Sequence, residues 1–385
     1  MNIFVKSLLL TLILGFALIT KGMVERGLLG FFFLLIGIQY IKNKKNVHQS
    51  KINYKNIFMG AACGYLIIIV SLIYFRYIPK ANYIATNYVS NQKTAIILVF
   101  QGEPTTYNTS LATKNFIENN SFWKVSILPF ILFKEKLTYE KIEVAASVHD
   151  SSRRFVNQLR EELGEDYNIY PAYLANTPYL IETIDRAVQE GNQRIIVSPF
   201  LLTECRDFIG IVNQVKRLNL QQYNVEPRMV EALWNSEFIA KSFVNQTIQS
   251  TVSPHKQNVG ILLIGPSVEK REVSFPHIKQ DILFREKIKD YLIKEGYNNN
   301  KIKLTFLQKR DIHAAIEGLM EYGVGEIILF LATTDLQQMR HYLTVEKIIE
   351  GLEVPYSVNI HKVDPWRFND AIAKELCRRI LLRNL

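Results

Sequence analysis

The sequence predicts an α/β protein: two similar doubly wound parallel-sheet domains behind an N-terminal transmembrane helical anchor. Three observations predict it. From Thr94 onward short β-branched runs alternate with helical patterns, the signature of a parallel sheet covered on both faces. The order of these runs repeats later in the chain. The first 80 residues, by contrast, hold three long apolar runs, 3–20, 27–41 and 57–75.

The anchor comes first. Runs 3–20 and 57–75 approach the ~20 residues needed to cross a bilayer, and 27–41 is shorter, with Arg26 and Lys42 as interfacial anchors. Lys6 precedes an apolar core as in a signal peptide, but no small-x-small cleavage site follows "ALITKGM". Three uncleaved spans are expected. Loop 42–56 carries Lys42, Lys44, Lys45, Lys51 and Lys55, whereas the first loop has Lys21 and Arg26 offset by Glu25. Basic loops are retained inside, so a multi-pass cell-membrane protein is expected, with its soluble part on the extracytoplasmic side.

The expected domains are 1–80 (anchor), 81–93 (linker), 94–257 and 258–385. Strands are predicted at 94–100, 169–174, 194–202, 258–265, 301–307, 326–332 and 357–363. Helices are predicted at 151–164, 179–192, 284–297, 311–324 and 368–382, each with apolar residues at helical spacing. Segment 177–208 can be laid on 309–339, as helix, Gly-containing turn, apolar strand and polar knot. "AIILVFQGEP" (95–104) likewise matches "GILLIGPSVE" (260–269). Two similar halves with a cleft between them are implied.

Ligands of doubly wound sheets sit beyond the carboxyl ends of the strands. Four such ends should converge: Gln101, Gly102 and Pro104; Ser198 and Pro199 running on to Asp207; Gly265, Pro266 and Ser267; and the knot from Thr333 and Thr334 through Asp335, Gln337 and Gln338 to His341. Thr334 or Asp335 as an N-cap explains the polarity of that knot equally well.

Charge narrows the partners. The net charge is +10, but ten of the 46 Lys and Arg lie in residues 1–80 beside one acid, leaving 36 basic against 35 acidic residues. The soluble part therefore lacks the basic footprint of a nucleic-acid binder, and no nucleic-acid partner is expected. The basic excess belongs to a membrane partner. Cys63, Cys205 and Cys377 have no zinc-type spacing; buried thiols are expected, with a single Cys205–Cys377 bridge as the alternative.

At the strand ends the chain resembles the ferrochelatase family, two-domain chelatases that insert iron into a porphyrin. The carriers are "ILVFQGEP", "IIVSPFLLTECRDF", "ILLIGPSVEKREVSFPHIKQDILFREKIKDYL", "GVGEIILFLATTDLQQM" and "VDPWRFNDAIAKELCRRIL", spread in order over roughly residues 94–382. The resemblance implies a chelatase-like fold and a ferrochelatase-type lyase, with a tetrapyrrole (porphyrin or haem) and a divalent metal (iron) as ligands and no required cofactor. Gln101, Gly102, Pro104, Ser198, Pro199, Gly265, Pro266, Ser267 and Thr334 would line the cleft.

The sequence also departs from that family. No histidine lies between His255 and His277, where the catalytic histidine is expected; Gln337 falls at the glutamate; Thr334 and Asp335 replace an Asp-His pair; and Gln101 replaces an aromatic residue. Glutamine neither accepts a pyrrole proton nor binds a divalent metal well at neutral pH. Asp335 or His341 would have to take the catalytic role beside Gln337. The alternative is a catalytically inactive protein that binds haem, porphyrin or metal for delivery or sensing.

Several residues carry paired readings. Glu204 and Cys205 could bind metal, or be a first-turn acid and a buried thiol. His149 and Asp150 could open a helix with Asp150, Ser151 or Ser152 as its cap, or Arg153 or Arg154 nearby could meet a propionate. His277, after Pro276 at a helix start, is read as local structure, and His313, on a helix face, has no role. Segment 120–142, apolar and loop-like, holds Trp123, Phe130 and Phe133 beside Pro129, and is read as a lip for a flat ligand or a membrane surface, with core packing of the same rings as the alternative.

Overall fold

The structure, a computed structural model, describes residues 3–45, 54–80, 91–102, 104, 106–140, 145–268, 274–334, 339–352, 355–363, 366 and 370–385. The chain forms two compact units, one of residues 1–79 with 104–145 and the other of residues 80–103 with 146–385.

The first unit is helical. Helices α1 (Ile3–Ile19), α2 (Met23–Lys45) and α3 (Tyr54–Tyr74) follow the three apolar runs. Helices α1 and α3 meet through glycines: a Cβ on Gly60 would overlap the Phe4 carbonyl oxygen and lie 2.9 Å from Ser7 Cβ, and one on Gly64 would lie 3.0 Å from the Leu8 carbonyl oxygen. Glycines four residues apart open one helix face to close backbone approach. Among the described residues one helix, Tyr54–Tyr74, is long and apolar enough to cross a membrane; Ile3–Ile19 is apolar but shorter.

Segment 120–142 is not the expected loop. After α4 (Thr109–Asn119) come a 3-10 turn, Phe122–Ile127, and helix α5 (Leu128–Glu140). Leu128 and Leu132, one helical turn apart, are buried with Val125, Ile19, Ile68 and Leu72. Pro129 is tolerated because it sits in the first turn. Lys136, also buried, pairs with Glu25 at 2.5 Å.

The second unit carries two four-stranded sheets. Strands β1 (Thr94–Phe100), β2 (Tyr167–Tyr173), β3 (Arg194–Pro199) and β4 (Glu226–Met229) form a parallel sheet in the order β2-β1-β3-β4. Strands β5 (Val259–Gly265), β6 (Ile302–Phe306), β7 (Glu326–Leu331) and β8 (Asn359–Val363) repeat it as β6-β5-β7-β8, again parallel. The α/β class and the internal repeat are therefore present. Strands β1, β5 and β7 are buried along their whole length, which explains their unbroken apolar sequence. Strand β4 was not expected: "EPRM" is short, charged and holds a proline, which an edge strand tolerates. Strand β3 stops at Pro199, three residues before its expected end.

Helices cover both faces: α6 (Ala145–Leu163), α7 (Leu180–Gln189), α8 (Arg206–Arg217), α9 (Glu237–Ser250), α10 (Pro276–Lys294), α11 (Lys309–Glu321), α12 (Met339–Glu350) and α13 (Asp370–Asn384). Helix α6 starts six residues before the expected 151, so His149 and Asp150 lie inside it rather than ahead of it. The alternation of strand side chains sorts the core. Ile96, Leu98 and Phe100 join Ile261, Leu263, Ile328 and Phe330 in one cluster with α6, α9, α10 and α13. Ala95, Ile97 and Val99 face α7 and α8, while Leu262 and Ile264 face α11 and α12. All three cysteines are free, Cys377 buried and the other two half-buried. Burial pushes the Cys377 thiol up to about 11, so it stays protonated at neutral pH.

Candidate functional site

In each sheet the chain starts at an inner strand, steps to one side and then resumes on the other. That reversal creates a topological switch point between β1 and β3, and another between β5 and β7. The four carboxyl ends at these points are the expected segments.

At the end of β1, Gln101 is half-buried and its Nε2 donates to Asp207 Oδ2 at 3.0 Å, reaching the first turn of α8. Its carbonyl accepts from the amides of Leu174 and Ala175, at 3.2 and 3.0 Å. Gly102 follows with φ of +56°, and the place of its missing Cβ is filled by Tyr173, whose own Cβ lies 2.8 Å away. Tyr173 is fixed in turn by a 3.1 Å hydrogen bond between its hydroxyl and that of Ser152. Pro104 is half-buried in the first unit.

At the end of β3, Ser198 and Pro199 are buried, and the Ser198 hydroxyl has no hydrogen-bond partner among the described residues. Below them lies an aromatic block. The Phe200 ring meets Phe100 at 5.5 Å, Phe155 at 5.3 Å and Trp366 at 6.2 Å. Trp366 donates its indole N–H to the Leu331 carbonyl at the end of β7, at 3.1 Å. Tyr173 and Trp366 carry no local sequence signal of this duty, because their packing partners lie far away in sequence.

The two halves touch through this loop. The Leu202 amide donates to Thr334 Oγ1 at 3.0 Å within the protein interior. Thr334 thus tethers the loop after β3 to the loop after β7, a structural duty the polar knot did not disclose. A second tie joins the Glu204 amide to Gln280 Oε1 at 2.9 Å, while Gln280 Nε2 donates back to Glu204 Oε2 at 3.3 Å. Glu204 is exposed, and Cys205 is half-buried at the N-cap of α8. Among the described residues no three His, Cys, Asp or Glu side chains converge as a metal-holding group.

At the end of β5, a Cβ on Gly265 would lie 2.5 Å from Arg285 Nη2 and 2.7 Å from Asp281 Oδ1. Those two groups form a fully buried ion pair, with Arg285 Nη1 also donating to the Thr305 carbonyl at 2.7 Å. Burial pushes the Asp281 carboxyl up from its ordinary value, and the adjacent Arg285 guanidinium pulls it back. Their spacing of four on α10 was readable, but their burial was not. Pro266 is buried and accepts from the Leu307 amide at 3.2 Å, whereas Ser267 is exposed. Asp335 and Gln337 lie outside the described residues; His341 belongs to the first turn of α12, and its side chain is likewise outside them. The structure thus brings together Gln101 with Asp207, and Thr334 with the segment of Ser198, Pro199, Glu204 and Cys205.

Residues 144–250, from α6 to the end of α9, match the CbiX family model. No curated protein matches the sequence. Among solved structures the chain is similar to SirB from Bacillus subtilis with Fe3+, at 15% identity and a TM-score of 0.47, covering 75% of this chain and 94% of that one. It is also similar to the sirohydrochlorin chelatase SirB from Bacillus subtilis subspecies spizizenii in complex with cobalt, at 12% identity, the same TM-score of 0.47 and the same coverage, 75% and 94%. The chain's own fold is an α/β arrangement with two four-stranded parallel sheets.

Proposed function

We propose that this protein is a membrane-anchored chelatase that binds a tetrapyrrole and inserts a divalent metal, with iron and a porphyrin the pair that the ferrochelatase resemblance favours. The carrying observation is the repeated strand order, whose two switch points are joined by the Leu202–Thr334 hydrogen bond. The CbiX match over 144–250 supports the same class of chemistry.

Inserting a divalent metal into a free-base tetrapyrrole releases two N–H protons, so the site needs a base beside the macrocycle and a donor that passes the metal on. Asp335 and His341 are the candidate bases, and Glu204 and Cys205 the candidate metal donors. Gln337 contributes hydrogen bonds only. The assay is full-length protein in lipid nanodiscs, given sirohydrochlorin or a porphyrin with ferrous, cobalt or zinc ions, and followed by absorption. Metallated product should form faster than without protein, and Asp335→Ala or His341→Ala should slow it by about 100-fold or more.

A second reading is a carrier that binds the macrocycle without metallating it. It is favoured by the strand end "LLIGPSV", which offers no histidine. A spectral shift on binding with no metal incorporation would select it. The membrane placement, three spans with the chain leaving the third on the outside, rests on the lysines of loop 42–56. A reporter fused after Leu385 that works only in the cytoplasm would refute it.

A further inference from the structure

The segment between β1 and α6 leaves the sheet-bearing unit and joins the three N-terminal helices. It is tied to them at two levels. At one level Thr109 Oγ1 donates to the Ile19 carbonyl at 2.8 Å and Ser110 Oγ to the Phe75 carbonyl at 2.9 Å, so α4 starts where α1 and α3 end. At the other, Tyr65 Oη donates to the Ser126 carbonyl at 2.5 Å, and its ring lies 5.9 Å from that of Phe130. Tyr65 is the twelfth residue of the 21-residue helix Tyr54–Tyr74, so this contact lies about 14 Å along the helix from its end. From there α5 climbs back, burying Leu128 and Leu132 against Ile68, Leu72 and Ile19.

The tip of this hairpin has an apolar outer surface: Phe122, Trp123 and Phe130 are 80%, 86% and 67% exposed. Its polar side chains Ser121, Lys124 and Ser126 are exposed as well, but the hairpin supplies hydrogen-bond partners for two of them and for Asn120. Ser126 Oγ donates to the Trp123 carbonyl at 2.9 Å, Asn120 Nδ2 to the Phe116 carbonyl at 2.9 Å, and Lys124 Nζ to Asn120 Oδ1 at 3.3 Å. Non-helical backbone survives at membrane depth only where the protein itself satisfies its polar groups, and three exposed aromatic rings within nine residues, Phe122 and Trp123 in contact at 6.4 Å, are costly in water.

We propose that α4, the 3-10 turn and α5 form a re-entrant hairpin that enters the bilayer beside α3 and returns on the same side, with Phe122, Trp123 and Phe130 against lipid acyl chains. This inference rests on the proposed crossing of the membrane by α3. Its test is full-length protein in phosphatidylcholine vesicles whose lipids carry bromine at graded depths, read by tryptophan fluorescence. Trp366 is buried and Trp234 half-buried in the other unit, so quenching by acyl-chain bromines should come from Trp123, peak for bromines well below the headgroups, and be lost in Trp123→Phe. Vesicle-bound protein that resists alkaline carbonate but shows equal quenching in wild type and Trp123→Phe would overturn the hairpin alone. Release of the protein by carbonate would overturn the crossing and the hairpin together.

Discussion

At Gly265 the last residue of β5 lies against a charge pair that water cannot reach. Asp281 and Arg285 sit one helical turn apart, and each is about 1% exposed. A buried pair roughly breaks even against apolar groups, but half of one is costly. Arg285→Leu should therefore destabilise the protein by about 3–5 kcal/mol, because Asp281 is left without a counter-charge. The double variant Asp281→Leu, Arg285→Leu should recover most of that loss, less the hydrogen bonds to strand carbonyls. Urea unfolding of the detergent-solubilised protein checks both. The pair occupies the strand end at which the ferrochelatase resemblance implies a histidine.

At the scale of elements, two helices show how packing depends on single groups. On α3, Gly60 and Gly64 let α1 approach until a side chain would overlap its backbone. Gly60→Leu should cost on the order of 3 kcal/mol by overpacking and lower the melting temperature in detergent, whereas Gly30→Leu on α2, where a Cβ would meet nothing within 4 Å, should not. On α13, Glu375 is buried between Arg378 and Arg379, which donate to it at 2.9 and 2.7 Å. Burial raises its pKa, but the arginine hydrogen bonds and charges outweigh burial and hold the carboxyl below its ordinary value. A depressed carboxylate contributes stability that is present above its unfolded pKa and lost as pH falls through the folded one. Wild type should therefore lose more stability than Glu375→Gln between pH 6 and pH 3, measured as the shift in urea midpoint.

For the whole molecule the division into units sets how the protein can be handled. Cutting at residue 81 removes Ile19, Ile68 and Leu72 from beneath Leu128 and Leu132. Such a fragment should expose that surface and aggregate, visible as high-mass species in light scattering. Replacing residues 104–145 in the same fragment by a flexible polar linker should restore a monodisperse species, because residues 80–103 and 146–385 form a unit of their own. Enzymatic assays belong on the full chain for the same reason.

The parallel sheets, the internal repeat and the strand ends were legible because period, apolar runs and glycine-proline loops are local signals, and both halves carry them. The apolar runs likewise marked α1, α2 and α3. Strand β4 was not legible, since hydrogen bonding to β3 rather than composition makes "EPRM" a strand. Nor was the path of residues 104–145, whose apolar face became a helical hairpin once α1 and α3 offered it a partner. The polar knot after β7 shows the same limit at one residue: the sequence placed Thr334 at a strand end, and only the fold turned its hydroxyl toward the Leu202 amide. Local pattern determined which segments became strands and helices; long-range packing decided which of their side chains were left for chemistry, because burial and hydrogen-bond partners come from residues distant in the chain.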